Sequence, residues 1–152
     1  MLTFTGIEQS DSKALAELDR ECFSVPWSEK SFFDEAANPM ANYVIAKEDN
    51  MIVGYAGFWQ VADEGQITNI AVKKEYRRRK IASSMVDRLI KKAKENKLSV
   101  LSLEVRKSNN AAVSLYSSHG FKIVGERKNY YVSPVENAIL MDLVISYDTV
   151  IK

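Results

Sequence analysis

The sequence predicts an α/β fold with α+β layering, a mixed β-sheet covered by helices, and three observations predict it. Apolar β-favouring runs alternate with stretches at helical spacing in the order strand, two helices, three strands, helix, strand, helix, two strands. The 152 residues, 46% hydrophobic, suffice for one core and not for two ordinary domains. Capping and turn residues stand wherever the pattern changes. A single domain over residues 1–152 is therefore expected.

Leu2 to Gln9 opens as a strand, after which Ser10 or Asp11 caps a helix with Leu15, Leu18 and Cys22 on one face. The loop Phe23 to Trp27, broken by Pro26, leads to a second short helix that Ser28 caps and that Asn38 and Pro39 stop. Tyr43 to Lys47 and Ile52 to Gln60 read as a hairpin about Asp49 and Asn50, and Gln66 to Val72 supplies the next strand. A third helix begins near Ile81, where Met85, Val86, Leu89, Ile90 and Ala93 continue an apolar stripe that must pack on a sheet. Ser99 to Val105 alternates, with Leu101, Leu103 and Val105 on one face and Glu104 on the other. Ser108 or Asn109 caps the fourth helix, through Tyr116, and Gly120 before Phe121 suits a left-handed C-terminal cap. Phe121 to Gly125 and Ala138 to Leu143 close the chain as two strands.

Lys and Arg total 21 against 20 acidic residues, which argues against binding nucleic acid through whole-protein charge. Cys22 is the only cysteine and His119 the only histidine, so neither an internal disulfide nor a structural zinc site is expected, no metal is implied, and a reducing cytoplasm is the natural setting. The opening MLTFTGIEQSDSK lacks a basic-then-apolar leader. The longest apolar stretch, Met51 to Trp59, is about half the roughly 20 residues that a spanning helix needs, so no membrane partner is expected.

The most informative segment is NIAVKKEYRRRKIA, Asn69 to Ala82, where an apolar strand runs into a basic turn that opens on a helix. Six of the eight residues from Lys73 to Lys80 are basic, and the first amides of the following helix face the same direction, an arrangement suited to a phosphorylated ligand. A solvated surface turn is the plain alternative. The run YRRRKIAS resembles the Arg/Gln-x-x-Gly-x-Gly/Ala signature of the GNAT superfamily of N-acetyltransferases, which bind acetyl-CoA. Arg77 and Ala82 fit the outer positions, and Lys80 stands in place of the first glycine. The resemblance implies a GNAT fold, a mixed sheet flanked by four helices whose fourth and fifth strands splay apart around the cofactor. It gives cofactor contacts to Ile70, Ala71 and Val72 of the fourth strand and to Arg77, Arg78, Arg79, Lys80, Ile81, Ala82 and Ser83 of the turn and helix start. The oxyanion is expected on a backbone amide near Ile70 or Ala71.

LEVRKSNNAAVSLYSSHGF, Leu103 to Phe121, is similar to the RimI-type branch of that superfamily, which acetylates the N-terminal alanine of a ribosomal protein. The likeness implies Glu104 as the base that deprotonates the acceptor amine, Tyr116 as the acid for the departing thiolate, and Asn109 as a partner of the pantetheine arm. Tyr116 is thereby a cofactor contact and Glu104 an acceptor contact as well. Pro26 to Phe32 and Lys128 to Tyr131 resemble the segments that wall the acceptor groove, which implies Trp27, Tyr130 and Tyr131 as substrate contacts. From the residues alone, Glu104 is equally a solvated charge at a strand end, and Tyr116, beside Val113, a packed ring. His119 fits a helix-end partner better than a base, and Cys22 a stripe residue better than a nucleophile. The expected activity is acetyl transfer from acetyl-CoA to a protein N-terminus by direct attack in a ternary complex. The competing readings are the same chemistry on lysine side chains or small amines, and a non-catalytic phosphate- or RNA-binding module.

Overall fold

The computed structural model describes residues 1–147, so the last five residues of the expected domain, 148–152, lie outside it. Among the described residues the strands are β1 (Leu2–Thr5), β2 (Ala41–Glu48), β3 (Met51–Val61), β4 (Glu64–Val72), β5 (Val100–Arg106), β6 (Lys122–Tyr131) and β7 (Glu136–Val144). The helices are α1 (Ser12–Cys22), α2 (Glu29–Ala36), α3 (Ile81–Glu95) and α4 (Asn110–Ser118). One seven-stranded sheet runs in the order β1-β2-β3-β4-β5-β7-β6. Its neighbours are antiparallel except β4 and β5, which α3 joins as a parallel crossover.

Local chemistry explains most boundaries. Ser28 accepts the Ser31 amide at 3.1 Å to cap α2. Asp49 and Asn50 both take left-handed dihedrals, φ 48° and 72°, as a two-residue hairpin turn requires. The α3 stripe is buried as its spacing demands, with Met85, Val86 and Leu89 at 0–1% exposure, each contributing about 1.5–3 kcal/mol of transfer free energy. This stripe joins Leu101, Leu103, Val105, Met141 and Tyr116 in the core on the α3–α4 face, while Leu15, Phe32, Tyr43 and Tyr55 build a second core beneath α1 and α2. No helix among the described residues is long and apolar enough to cross a membrane.

Several boundaries differ from expectation, most of all those of β1, β6 and β7. β1 stops at Thr5 rather than Gln9, because the Glu8 amide donates to Asp11 Oδ2 at 2.9 Å and winds Gln9–Asp11 into a 3-10 turn ahead of α1. β6 continues past Gly125 to Tyr131, kept against β7 by register shifts at Ile123/Gly125 and Arg127/Tyr131. β7 begins at Glu136, two residues before Ala138, and ends at Val144.

Candidate active site

β4 and β5 pair only at Glu64–Val100, Gly65–Leu101 and Gln66–Ser102, then part. Gly65 permits the close end of this wedge, since a Cβ there would meet Leu101 Cδ2 at 2.6 Å. Just past the last pair β4 bulges. Phe58 faces Ile67 while Gly57 faces Asn69, so Thr68 is the extra residue, and its Oγ1 donates to the Gly57 carbonyl at 3.3 Å. The parted strands open a cavity of about 650 Å³ lined by Ile67 to Ile70 and Leu103 to Arg106.

Two candidate side chains, Glu104 and Tyr116, reach this cavity from opposite faces of the sheet. Leu103 and Val105 pack in the α3–α4 core, so strand alternation turns Glu104 to the α1–α2 face. There its Oε1 lies 3.4 Å from Arg127 Nη2, with the loop residues Phe23 to Val25 and the end of β6 around the same space. Tyr116 comes from the other face on α4. Asn109 caps that helix by accepting the Ala112 amide at 3.1 Å, and Gly120, at φ +94°, ends it. The Phe121 amide then returns to the Tyr116 carbonyl at 3.1 Å, and the two rings meet edge-on at 5.4 Å, the hydrophobic contact of a Schellman cap. The turn expected at Gly120 therefore fixes the tyrosine's orientation. Burial pushes the Tyr116 phenol well above its usual range, with the nearby Tyr131 adding to the shift, so Tyr116 stays protonated at ordinary pH.

Tyr130 and Tyr131 both line the cavity. The Glu104 carboxylate raises the Tyr130 phenol, and burial, then Glu104, pushes Tyr131 up to about 12. Arg106 holds their loop. Its guanidinium donates to the Val132 carbonyl at 2.8 Å and the Pro134 carbonyl at 2.9 Å, meets Glu136 at 3.3 Å, and lies over the Tyr131 ring at 4.6 Å. Glu136 in turn accepts the Ser108 amide at 2.8 Å, which ties the loop to the start of α4.

The β4 backbone separates the amides named for the oxyanion. The Lys73 amide donates to the Val53 carbonyl at 2.7 Å, so the antiparallel alternation also turns the peptide groups of Ala71 and Asn69 toward β3. Those of Ile70 and Val72 face the opening. Ile70 is thus the free donor and Ala71 is not. The Val72 carbonyl accepts from Arg77 Nε at 3.0 Å and contacts Cys22 Sγ at 3.7 Å.

Arg77 to Ser83 sit past the end of β4 and are not among the residues lining the cavity. Arg78 and Lys80 hold left-handed dihedrals, φ 65° and 61°, so Lys80 occupies the conformation that glycine favours. No side chain caps α3, and its first intrahelical bond runs from the Ser84 amide to the Lys80 carbonyl at 3.0 Å, leaving the amides of Ile81, Ala82 and Ser83 free of helical partners. Arg77, though exposed, folds back onto the Val72 carbonyl and, through Nη2, onto Cys22 at 3.6 Å, while Arg79 lies over Tyr76 at 4.9 Å. The Ser83 hydroxyl lies 2.9 Å from His119 Nε2, whose Nδ1 meets Asp87 at 3.0 Å, so His119 clamps α4 to α3 outside the cavity. Burial raises the Cys22 thiol. Trp27 lies apart from the cavity, against Phe32 at 5.4 Å and Trp59 at 6.3 Å.

Thr68, Asn69, Arg106 and the Phe23 to Val25 loop line the cavity without having been singled out in the sequence. Arg106 carried a signal as the charge closing the Leu-Glu-Val-Arg run. Thr68 carried none, because a bulge is a property of two strands in register.

The model of the Acetyltransferase (GNAT) family matches residues 12–121, and the chain belongs to that family. It is 40% identical over 131 residues to a Bacillus subtilis protein provisionally named ribosomal protein bS18-alanine N-acetyltransferase, covering 86% of this chain and 87% of that protein. It is 34% identical over 148 residues to the Escherichia coli K12 ribosomal protein bS18-alanine N-acetyltransferase, covering 96% and 99%. The crystal structure of the ribosomal-protein-S18-alanine N-acetyltransferase from Escherichia coli superposes with a TM-score of 0.90 at 32% identity, over 98% of this chain and 97% of that one. Ard1 from Thermoplasma volcanium shares the fold with a TM-score of 0.88 at 21% identity, over 96% of this chain and 99% of that one.

Lys80→Gly relieves the left-handed strain, worth roughly 1–2 kcal/mol, against a glycine chain-entropy cost of roughly 0.5–1 kcal/mol. Thermal melting is expected to rise slightly, and acetyl-CoA affinity by calorimetry to stay within a few fold. A hundredfold loss of affinity would make the Lys80 charge a principal ligand.

Proposed function

We propose that the chain acetylates the N-terminal α-amine of a protein, an alanine as in the relatives named above and with ribosomal protein bS18 as acceptor, acting in the cytoplasm as one catalytic domain. The observation that carries this reading is that Glu104 and Tyr116 enter one cavity from opposite faces of the sheet, where β4 and β5 part. The residues also fit acetyl-CoA, which supplies the acetyl thioester. The uncapped amides of Ile81, Ala82 and Ser83, with Arg78, Arg79 and Lys80 beside them, suit its diphosphate. Asn109 and Ile70 suit the arm that runs between the strands.

Glu104 takes the proton of the α-ammonium group, directly or through one water, at modest cost because that group's pKa is about 8. The Ile70 amide donates to the carbonyl oxygen as charge develops on it. Tyr116 gives its proton to the leaving sulfur. Tyr130 and Tyr131, held by Arg106, wall the side where the acceptor enters. Trp27 contributes to acceptor binding at a distance from the cavity.

Alanine-led peptides with a free α-amine, compared with the same peptides blocked at that amine and carrying an internal lysine, test the assignment by mass spectrometry. Acetyl on the α-amine is expected. Preference for lysine would overturn the acceptor assignment.

A further inference from the structure

We propose that the pocket walled by Trp27, Trp59, Asp34 and Glu35 is a subsite for an arginine side chain of the acceptor protein, two to five residues beyond the amine that is acetylated. The proposal rests on the acceptor reading above. The pocket, about 350 Å³, is bounded by two indoles tilted 30° to each other with centroids 6.3 Å apart, and Trp59 is 41% exposed. Indole faces attract a planar cation, and guanidinium stacks on them while remaining charged.

Glu35 supplies the charge. It is 7% exposed, and its Oε1 accepts from Trp59 Nε1 at 2.6 Å, a bond that orients the indole. Its Oε2 has only the Asn38 side-chain amide, at 3.5 Å, and no cation meets Glu35 among the described residues. Asp34, by contrast, already pairs with Lys30 at 2.8 Å on the exposed side. A buried carboxylate without a cation is costly, and an entering guanidinium would offset that cost while bonding the oxygen left nearly free.

The pocket is within reach of the cavity. Trp59 pairs with Gln66, next to the cleft residues Ile67 and Thr68, and Glu104 lies two residues past Ser102, the β5 partner of Gln66. Two strand spacings across and two residues along give roughly 12 Å from Glu104 to Trp59, a span of three to four extended residues. The loop connects them as well, since Phe23 to Val25 line the cavity and Trp27 walls the pocket.

The test is a set of alanine-led peptides carrying one arginine at positions two to six, each paired with a peptide in which citrulline replaces it, isosteric and neutral. For at least one position between three and six, kcat/KM is expected to favour arginine by about tenfold, and the ratio to fall to near one in Glu35→Gln and in Trp59→Leu. The ratio is read within one enzyme preparation, so partial misfolding of a variant cancels. Equal rates for every arginine and citrulline pair, with the α-amine acetylated, would overturn the subsite alone. A ratio that survives in both variants would also overturn it. Failure of all the peptides to accept acetyl at the α-amine would overturn the acceptor reading and this proposal with it.

Discussion

Glu104→Gln is expected to lower kcat on an alanine-led peptide by about 100- to 1000-fold, the range for a lost general base, while acetyl-CoA affinity by calorimetry is unchanged. Glutamine keeps the shape of the side chain and can still accept from Arg127, 3.4 Å from Oε1, so the change isolates proton removal from packing. The deficit also has an expected pH dependence. An α-amine loses its own proton above a pKa of about 8, so the ratio of wild-type to variant rate should shrink as pH rises from 7 toward 9.5. A drop of less than fivefold at pH 7 would remove Glu104 from the chemistry and leave it as a partner of Arg127 and Tyr130.

Tyr116→Phe is expected to cost about 100-fold in kcat with little change in KM for either substrate. Only a hydroxyl is removed. The ring keeps its edge-on contact with Phe121 and its place in the Schellman cap, so melting should be close to wild type. Burial holds the phenol protonated well above its usual range, so wild-type activity should show no alkaline limb from this group below about pH 10. A variant with full kcat would assign the leaving-group proton to water, and Tyr116 would then be a packed ring.

What the sequence made legible was local. The Ser28 and Asn109 caps, the Asp49–Asn50 turn, the α3 stripe and the Gly120 cap each depend on residues within a few positions of one another, and each appears where its chemistry places it. The placement of Tyr116 was legible for the same reason. Features that depend on strands far apart in sequence were not. The length of β6 rests on two register shifts against β7, and the separation of the Ile70 and Ala71 amides rests on how β4 alternates against β3. The contacts of Arg77 depend on Val72 and Cys22 converging from β4 and α1. The motif implies a place for Trp27 in the groove wall, and its ring packs tilted against Trp59 beside the Glu35 pocket, a neighbour that no spacing in the chain could reveal.

The most direct measurement of the central claim is a crystal structure with coenzyme A, supported by titration calorimetry in solution. The account predicts one bound molecule, with its diphosphate on the amides of Ile81, Ala82 and Ser83 and its arm passing Ile70 and Asn109 between β4 and β5. Absence of binding, or coenzyme A seated anywhere other than that wedge, would contradict it.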